Sequence, residues 1–312
     1  MGWFNTAVQK VREFGRAPRR SRITGEPSAR PKIGLALGGG FARGIAHIGV
    51  LRAFEQNGIP IDYLAGTSVG ALIATMYSAG SKLETMERLA AQTSFKDFGK
   101  WTISWLGFAS NAPLSTYLQR AATVQDFNQL KVPLTIVATD LGTGEPVHFS
   151  SGEIIPPLRA SCAYPGLFMP VEHNGRIYVD GFLASPVPVD AVRAMGADIV
   201  IAVYLDSCSD DERPANLIGV VGRAFSIMQR HVNKLWRQNA DIIIEPSVSQ
   251  YCWDDFCNTP ALLQAGEKAA NEIIPALRQL IEPQPTVTAQ TPQAPRQPAP
   301  LPAASTSAHA AD

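Results

Sequence analysis

A serine lies at the centre of a Gly-x-Ser-x-Gly pentapeptide that runs from Gly66 to Gly70. The apolar residues 61–65 before it predict a short buried strand, and residues 69–78 after it predict a helix with no breaker. A serine on such a strand-to-helix turn is held in a strained backbone that presents its hydroxyl above the sheet edge. Glycine is expected on both sides because side chains would collide in so tight a turn. The pattern predicts that Ser68 is a nucleophile.

Three successive glycines, Gly38, Gly39 and Gly40, follow a predicted strand and open a predicted helix. Their backbone N–H groups can converge on one point, and the helix N-terminus adds positive potential, so the loop predicts an anion cradle. A phosphate loop would need Lys after Gly44, and a dinucleotide fingerprint would need Gly in place of Arg43. Both tests fail. We therefore expect an oxyanion hole that serves Ser68, with a plain tight turn as the alternative.

A serine nucleophile needs a base, and two residues are candidates. Of the five histidines, only His47, on the helix after the glycines, has a route to the site. Asp180 ends a β-prone run, residues 176–179, and is followed by Gly181, so it lies at a strand end where α/β folds collect catalytic side chains. A buried carboxylate with a raised pKa can act as the base. An aspartate that only stabilises a turn is the structural alternative.

Strand and helix patterns alternate along the body of the chain. The predicted strands are residues 32–37, 61–65, 134–139, 176–179, 199–204 and 241–245. The predicted helices are residues 42–56, 69–78, 83–92, 188–194, 217–236 and one that begins at Thr259 and is kinked by Pro275. Such alternation predicts a mostly parallel sheet that is covered by helices on both faces.

Composition narrows the class of protein. The chain has 312 residues, 46% of them hydrophobic, and no net charge. Residues 1–32 carry eight Lys or Arg against two acids, so the remainder is acidic, which argues against a nucleic-acid binder. Four cysteines in so long a chain predict neither a disulfide framework nor a metal site, and they favour the cytoplasm.

Composition also divides the chain into three regions. Residues 1–31 form a basic arm in which residues 1–16 have the spacing of an amphipathic helix, typical of contact with a membrane surface. An arm that docks on its own domain is the alternative. Residues 32–282 are the folded domain. Residues 283–312 contain seven prolines and no aromatic residue, which predicts disorder.

Taken together, these motifs resemble those of the patatin-like phospholipases, and most closely the bacterial branch that is similar to neuropathy target esterase. The motifs that carry the resemblance stand in that family's order: Gly38, Gly39, Gly40, Arg43 and Gly44; Gly66, Ser68 and Gly70; Asp180 and Gly181. The resemblance covers residues 32–282. It is reinforced by the stretches at residues 160–165 and 168–170.

The resemblance implies a three-layer α/β/α sandwich and hydrolysis of lipid acyl esters without metal or cofactor. It makes Ser68 the nucleophile, Asp180 the base and the amides of Gly38, Gly39 and Gly40 the oxyanion hole. Arg43 is expected to shape the glycine loop. Two alternatives stay open: a Ser–His acyltransferase with His47 as base, and a catalytically degenerate scaffold. Head group, chain length and oligomeric state are not indicated by the sequence.

Two features bear on the substrate. Phe182 stands where the family usually has Gly or Ala after Asp-Gly. If the backbone there approaches the substrate, the ring would narrow the pocket or turn it away from bulky lipids, which would change the substrate range more than the chemistry. Five aromatic residues recur at helix-like spacing with few charges among them: Phe95, Phe98, Trp101, Trp105 and Phe108. Such a stripe is typical of a core. The alternative is an apolar rim or lid through which acyl chains enter.

Overall fold

A computed structural model describes residues 30–102, 104–206 and 217–281, with the side chains of residues 217 and 218 left out. The expectations for the tail at residues 283–312, and for nearly all of the arm at residues 1–31, lie outside the described residues. The main helices are α1 (Ile45–Gln56), α2 (Val69–Ser78), α3 (Leu83–Gln92), α4 (Phe95–Phe98), α5 (Pro113–Ala121), α6 (Ile155–Ser161), α7 (Val189–Ala194), α8 (Leu217–Asn239) and α9 (Thr259–Ile281).

An eight-stranded sheet forms the centre of the domain. Its strands are β1 (Ile33–Leu37), β2 (Tyr63–Thr67), β5 (Leu134–Asp140), β6 (Pro146–Phe149), β7 (Val171–His173), β8 (Arg176–Asp180), β9 (Ile199–Val203) and β10 (Ile242–Ile244). The order is β10-β9-β1-β2-β5-β8-β7, with β6 also paired to β5. The first five strands of that order are parallel, whereas β6, β7 and β8 add antiparallel pairings. The predicted mostly parallel sheet is confirmed.

Strand β1 shows how helices cover both faces of the sheet. Leu35 and Leu37 belong to a buried cluster that includes residues of α1, α2 and α9. Ala36 points to the other face and joins a cluster with residues of α7 and α8. A Cβ at Gly34 would lie only 1.9 Å from Val192 Cγ1, so glycine lets α7 pack closely on this strand. The three-layer arrangement follows from this alternation.

The register of β5 brings two strand ends together. Residues 134–137 of β5 pair with β2, and residues 138–140 pair with β8. Since β6 pairs with residues of β5 in both segments, β6 must occupy the opposite edge. Strands β2 and β8 therefore run towards each other along one edge of β5. Their carboxyl ends meet there, with Thr67 opposite Val137 and Asp180 opposite Ala138.

Helices α1 and α9 pack with their backbones in close contact. A Cβ at Gly49 would lie 2.0 Å from Leu263 O, and a Cβ at Gly266 would lie 1.9 Å from Ala46 O. Arg52 of α1 adds ion pairs to Glu87 at 2.8 Å and to Glu267. The last helix of the described chain is thus fixed to the first long helix, which begins directly after the glycines.

The aromatic stripe does not form a helix of the core. Only Phe95–Phe98 is helical, and the chain then forms a two-stranded antiparallel hairpin of β3 (Lys100–Trp101) and β4 (Ala109–Ser110). Trp101, Trp105 and Phe108 are exposed. The core interpretation is wrong for these three residues because the turn-forming Gly99 and Gly107 interrupt the helical spacing.

Helix α9 contains Pro275 and continues beyond it to Ile281, and the kink expected at Pro275 stays a prediction. None of the helices in the described part of the chain combines the length and the apolar character needed to cross a bilayer.

Candidate active site

Ser68 occupies the turn between β2 and α2 with φ 56° and ψ −126°. A positive φ in a residue other than glycine costs about 1–3 kcal/mol, and it persists only where the surroundings enforce it. The two flanking glycines provide that enforcement. A Cβ at Gly66 would lie 2.4 Å from Ala71 Cα, and one at Gly70 would lie 2.2 Å from Leu37 O. The predicted strand-to-helix elbow is present.

The hydroxyl of Ser68 donates a hydrogen bond of 2.7 Å to Asp180 Oδ2. The two residues are 112 positions apart in the chain, and the meeting of β2 and β8 on one edge of β5 brings them together. Gly181 permits this approach, since a Cβ there would lie 2.2 Å from Val137 O. The contact that a Ser–Asp dyad requires is present, whereas its catalytic role stays a prediction.

Asp180 is fully buried, and burial raises its pKa to about 7 against the weaker opposing effects of hydrogen bonds from the Phe182 amide and Ser68. The Phe182 amide donates to Oδ1 at 2.9 Å, so both carboxylate oxygens have a donor. A carboxyl group with a pKa near neutrality can take up and release a proton during turnover. The local electrostatics suit a general base.

Ser161, at the end of α6, supports the strained turn. Its hydroxyl donates to Val137 O at 2.6 Å and accepts a hydrogen bond of 2.8 Å from the Ser68 amide. The hydroxyl therefore links the backbone of Ser68 to β5. Sequence reasoning placed Ser161 only within a stretch that supports the resemblance and gave it no role, because a buried serine on a helix carries no local signal of such a bridge.

The glycine loop differs in part from the expected oxyanion hole. The amides of Gly38 and Gly39 donate to Val203 O and Pro186 O, each at 3.1 Å. Only the amide of Gly40 has no acceptor among the described residues. The expectation that all three amides are available is therefore corrected, because β9 and the segment before α7 already accept from two of them.

His47 does not contact Ser68. Its Nε2 lies 2.8 Å from Gly38 O, and its buried Nδ1 has no hydrogen-bond partner. Burial lowers the pKa of His47 to about 4, so the ring is neutral at pH 7 and Nε2–H donates to the carbonyl. The Ser–His alternative required a contact between His47 and Ser68, and the structure has none. His47 instead holds the start of the glycine loop.

Arg43 and Gly44 complete the loop. The Arg43 guanidinium donates to Asp206 O at 2.8 Å and, over 3.4 Å, to Gly40 O. These bonds agree with the expected role of Arg43 in shaping the loop. Gly44 allows α2 to approach, since a Cβ there would lie 2.4 Å from both methyl carbons of Val69.

Phe182 lies against the loop and does not line the described pockets. A Cβ at Gly39 would lie 3.0 Å from Phe182 Cδ2, so the ring covers the glycine. The carbonyl of Phe182 accepts a hydrogen bond from Gln229 of α8. The ring lies beside the glycine loop close to Ser68, since a Cβ at Gly39 would also lie 3.4 Å from Ser68 Cβ, and its effect on substrate range stays a prediction.

An apolar pocket, the outer pocket, opens at Ser68. A second apolar pocket, the inner pocket, lies between α1, α2 and α3. The two share five lining residues: Phe41, Val69, Leu72, Phe98 and Phe256. No charged side chain lines either pocket. The two neighbouring pockets, together called the channel, extend from Ser68 towards residues of α1 and α3.

Cys162 lines the outer pocket, and burial raises the pKa of its thiol, so it is uncharged at neutral pH. Within the described ranges, no group of three or more His, Cys, Asp and Glu side chains is arranged to hold a metal ion. The chemistry that the site can perform rests on a hydroxyl, a carboxyl and backbone amides.

Fold and site together define an α/β/α protein with a serine on a nucleophile elbow. The family model of the patatin-like phospholipases matches residues 35–193, which is half of the chain and holds the glycine loop, Ser68 and Asp180. The chain belongs to the patatin-like phospholipase family.

Comparisons with single proteins agree with this family. The chain is 35% identical over 193 residues to an NTE family protein of Mycobacterium tuberculosis. The match covers 61% of this chain and 53% of the mycobacterial protein. It is 29% identical over 185 residues to the lysophospholipase nte1 of Aspergillus fumigatus, covering 57% of this chain and 12% of the fungal protein. The chain thus matches about half of the mycobacterial relative and a small part of the fungal one.

Among solved structures, VipD from Legionella pneumophila superposes with a TM-score of 0.56 at 13% identity. That match covers 80% of this chain and 67% of VipD. At this identity the likeness concerns the fold alone.

Proposed function

We propose that the protein hydrolyses lipid acyl esters, as a phospholipase or lysophospholipase, through a Ser68–Asp180 dyad. The observation that carries the proposal is the 2.7 Å hydrogen bond from a strained serine to a buried carboxyl group. Family membership supports a lipid ester as the substrate. The name lysophospholipase, printed for the Aspergillus relative, favours the same class.

The proposed reaction has two steps. Ser68 Oγ attacks the ester carbonyl while Asp180 Oδ2 accepts the hydroxyl proton, and the free amide of Gly40 donates to the oxyanion that forms. The tetrahedral intermediate collapses, and Asp180 returns the proton to the leaving alcohol. Asp180 then deprotonates a water molecule that attacks the acyl-enzyme carbonyl, and it returns this proton to Ser68 Oγ as the fatty acid leaves. Each oxyanion donor contributes about 3 kcal/mol to such a transition state.

The channel supports an acyl chain as the part of the substrate that is bound. Its lining is aliphatic and aromatic, so burying a hydrocarbon chain gains about 0.8 kcal/mol for each methylene group. A phosphate inside it would find no cationic partner among the lining residues. We infer that the chain enters the channel while the polar head group stays outside.

We also propose that the enzyme works in the cytoplasm at lipid surfaces. The cysteine content favours that compartment, and Cys162 and Cys257 are free thiols. The predicted membrane contact of residues 1–16 lies outside the described residues and stays a prediction. Vesicle co-sedimentation of the full chain and of a chain without residues 1–31 tests it, and equal binding would exclude a role for the arm.

Two substitutions test the dyad. Ser68→Ala removes the nucleophile, and kcat for a soluble chromogenic ester should fall on the order of a million-fold. Asp180→Asn removes the base and should reduce kcat roughly 10²–10⁴-fold. Ser115→Ala is the matched control, since that hydroxyl bonds only its own helix at Ala112 O.

Labelling with a fluorophosphonate distinguishes the enzyme from a degenerate scaffold. The wild type and Ser115→Ala should be labelled, and Ser68→Ala should not. An unlabelled wild type that is correctly folded would support the scaffold, and full turnover by Asp180→Asn would refute the dyad.

A further inference from the structure

The hairpin that follows α4 presents large apolar side chains to solvent. We define the aromatic hairpin as residues 99–110, of which residue 103 is not described. Trp101 is 64% exposed, Trp105 is 105% exposed and Leu106 is 70% exposed. Exposed apolar patches that are contiguous mark sites of interaction with proteins, ligands or membranes. Two tryptophans and a leucine beside one another need such an explanation.

The aromatic hairpin is continuous with the channel at Ser68. Phe95 contacts Trp101 at a ring-centroid distance of 5.0 Å and stacks on Phe168 at 6.1 Å. Phe168 lines the outer pocket together with Ser68. The backbone adds a second connection, since the amide of Phe108 donates to Leu167 O at 3.1 Å. A chain of aromatic contacts therefore connects the hairpin with the pocket at Ser68.

The sequence of the aromatic hairpin is also one-sided in charge. No acidic residue occurs between Phe98 and Gln125, whereas Lys96 and Lys100 are exposed. The nearest acid in the sequence, Asp97, accepts a hydrogen bond from the Ser94 amide at 2.9 Å and forms an ion pair with Arg120 at 2.7 Å. A basic, aromatic surface complements anionic lipid head groups above an apolar layer.

We propose that the aromatic hairpin docks the enzyme on a lipid bilayer, with Trp105 and Leu106 inserted at the level of the head groups. Tryptophan suits this depth because its ring is apolar and its N–H is polar. Docking would place the channel next to the lipids from which acyl chains come. The inference deepens the proposed function and rests on it. A second copy of this chain on the same surface is the competing occupant.

Vesicle flotation with the full chain tests the proposal. The probe is a vesicle of phosphatidylcholine and phosphatidylglycerol, and the hairpin variant is Trp105→Ser/Leu106→Ser. Both side chains are highly exposed and line neither pocket, so this variant should fold and react with a fluorophosphonate as the wild type does. Its partition onto vesicles should fall at least about tenfold, because two large apolar anchors are lost.

Matched controls distinguish a loss of membrane docking from a general loss of exposed apolar surface and from a loss of turnover. Leu280, an apolar residue of α9, is 37% exposed. It lies near the end of α1 that is farther from the glycine loop, so Leu280→Ser should bind vesicles as the wild type does. Ser68→Ala should also bind vesicles while losing turnover. Vesicles with brominated acyl chains should quench tryptophan emission of the wild type, and Trp105→Phe should lose much of that quenching.

Each outcome decides the proposal. Unchanged flotation of the hairpin variant would overturn docking, whether or not the enzyme hydrolyses esters. Flotation without any ester hydrolysis would leave docking intact and defeat the proposed function. Alternatively, the wild type could be a dimer that does not float, and the hairpin variant a monomer. This result would assign the surface to a second copy of the chain and overturn docking.

Discussion

Asp180 determines how the site should respond to pH. Burial raises its pKa to about 7, and the base must be ionised to accept the proton of Ser68. The protonated form is inactive, so kcat/KM should rise with pH. We expect about a tenth of the plateau one pH unit below the pKa and a plateau by about pH 8. The measurement is kcat/KM for a soluble ester between pH 5 and 9.

The pH profile also separates Asp180 from His47. With its pKa lowered to about 4, the histidine would titrate well below this range. A profile that is flat from pH 6 to pH 8, or that falls with rising pH, would contradict Asp180 as the base. Ser115→Ala serves as the control and should reproduce the wild-type curve.

At the level of single residues, short motifs located the reacting groups but not their supports. Ser68, Asp180 and the glycines belong to local patterns that can be read from a few neighbouring residues. Ser161 acts through contacts with Ser68 and Val137, in distant parts of the chain, which no local pattern encodes. The hydrogen bonds of Gly38 and Gly39 were missed for the same reason, since their acceptors lie at Val203 and Pro186.

At the level of elements, the deep end of the channel should select chain length. Ala90 of α3 lines only the inner pocket, so Ala90→Leu should fill that end and leave Ser68 untouched. Losing two to three buried methylenes of a long acyl chain costs about 2 kcal/mol. The kcat/KM for a long-chain ester should fall roughly 30-fold while that for a butyrate ester is unchanged.

The neighbouring Ala91 offers a matched control. Ala91 lies on the same helix and is exposed, so Ala91→Leu should change neither rate. Equal losses on short and long esters in Ala90→Leu would indicate damage to the site and would contradict chain selection by the inner pocket.

Elements with strong periodicity were predicted well, and short ones were not. The predicted bounds of α2 and α3 agree with the structure, and those of β1 and β9 differ by one residue. The antiparallel direction of β8 was missed, because a run such as residues 176–179 indicates a strand without its partner. The hairpin was mistaken for a core stripe because helical spacing can arise where glycines turn the chain.

At the scale of the whole molecule, stability should depend on the contact between α1 and α9. A Cβ at Gly266 would lie 1.9 Å from Ala46 O, and a backbone atom cannot move aside cheaply. Gly266→Ala should therefore destabilise the fold by roughly 3 kcal/mol. Thermal unfolding should show Tm lowered by about 6–12 °C, with fluorophosphonate labelling retained at low temperature.

Gly222→Ala is the matched control for that substitution. A Cβ at Gly222, inside α8, would meet only the Tyr164 hydroxyl at an ordinary 3.9 Å, so alanine should keep or raise Tm. A Gly266→Ala variant as stable as the wild type would show that the two helices can separate without cost.

Strand β1 lies between β2, the next strand of the chain, and β9, which begins only at residue 199, and α9 covers α1 only after residue 259. On the ribosome, Ser68 and Asp180 are therefore synthesised before β9 and α9, which hold β1 and α1 in place. A growing polypeptide cannot complete the domain until these late elements have emerged from the exit tunnel. We therefore expect unfinished chains to lack an assembled site.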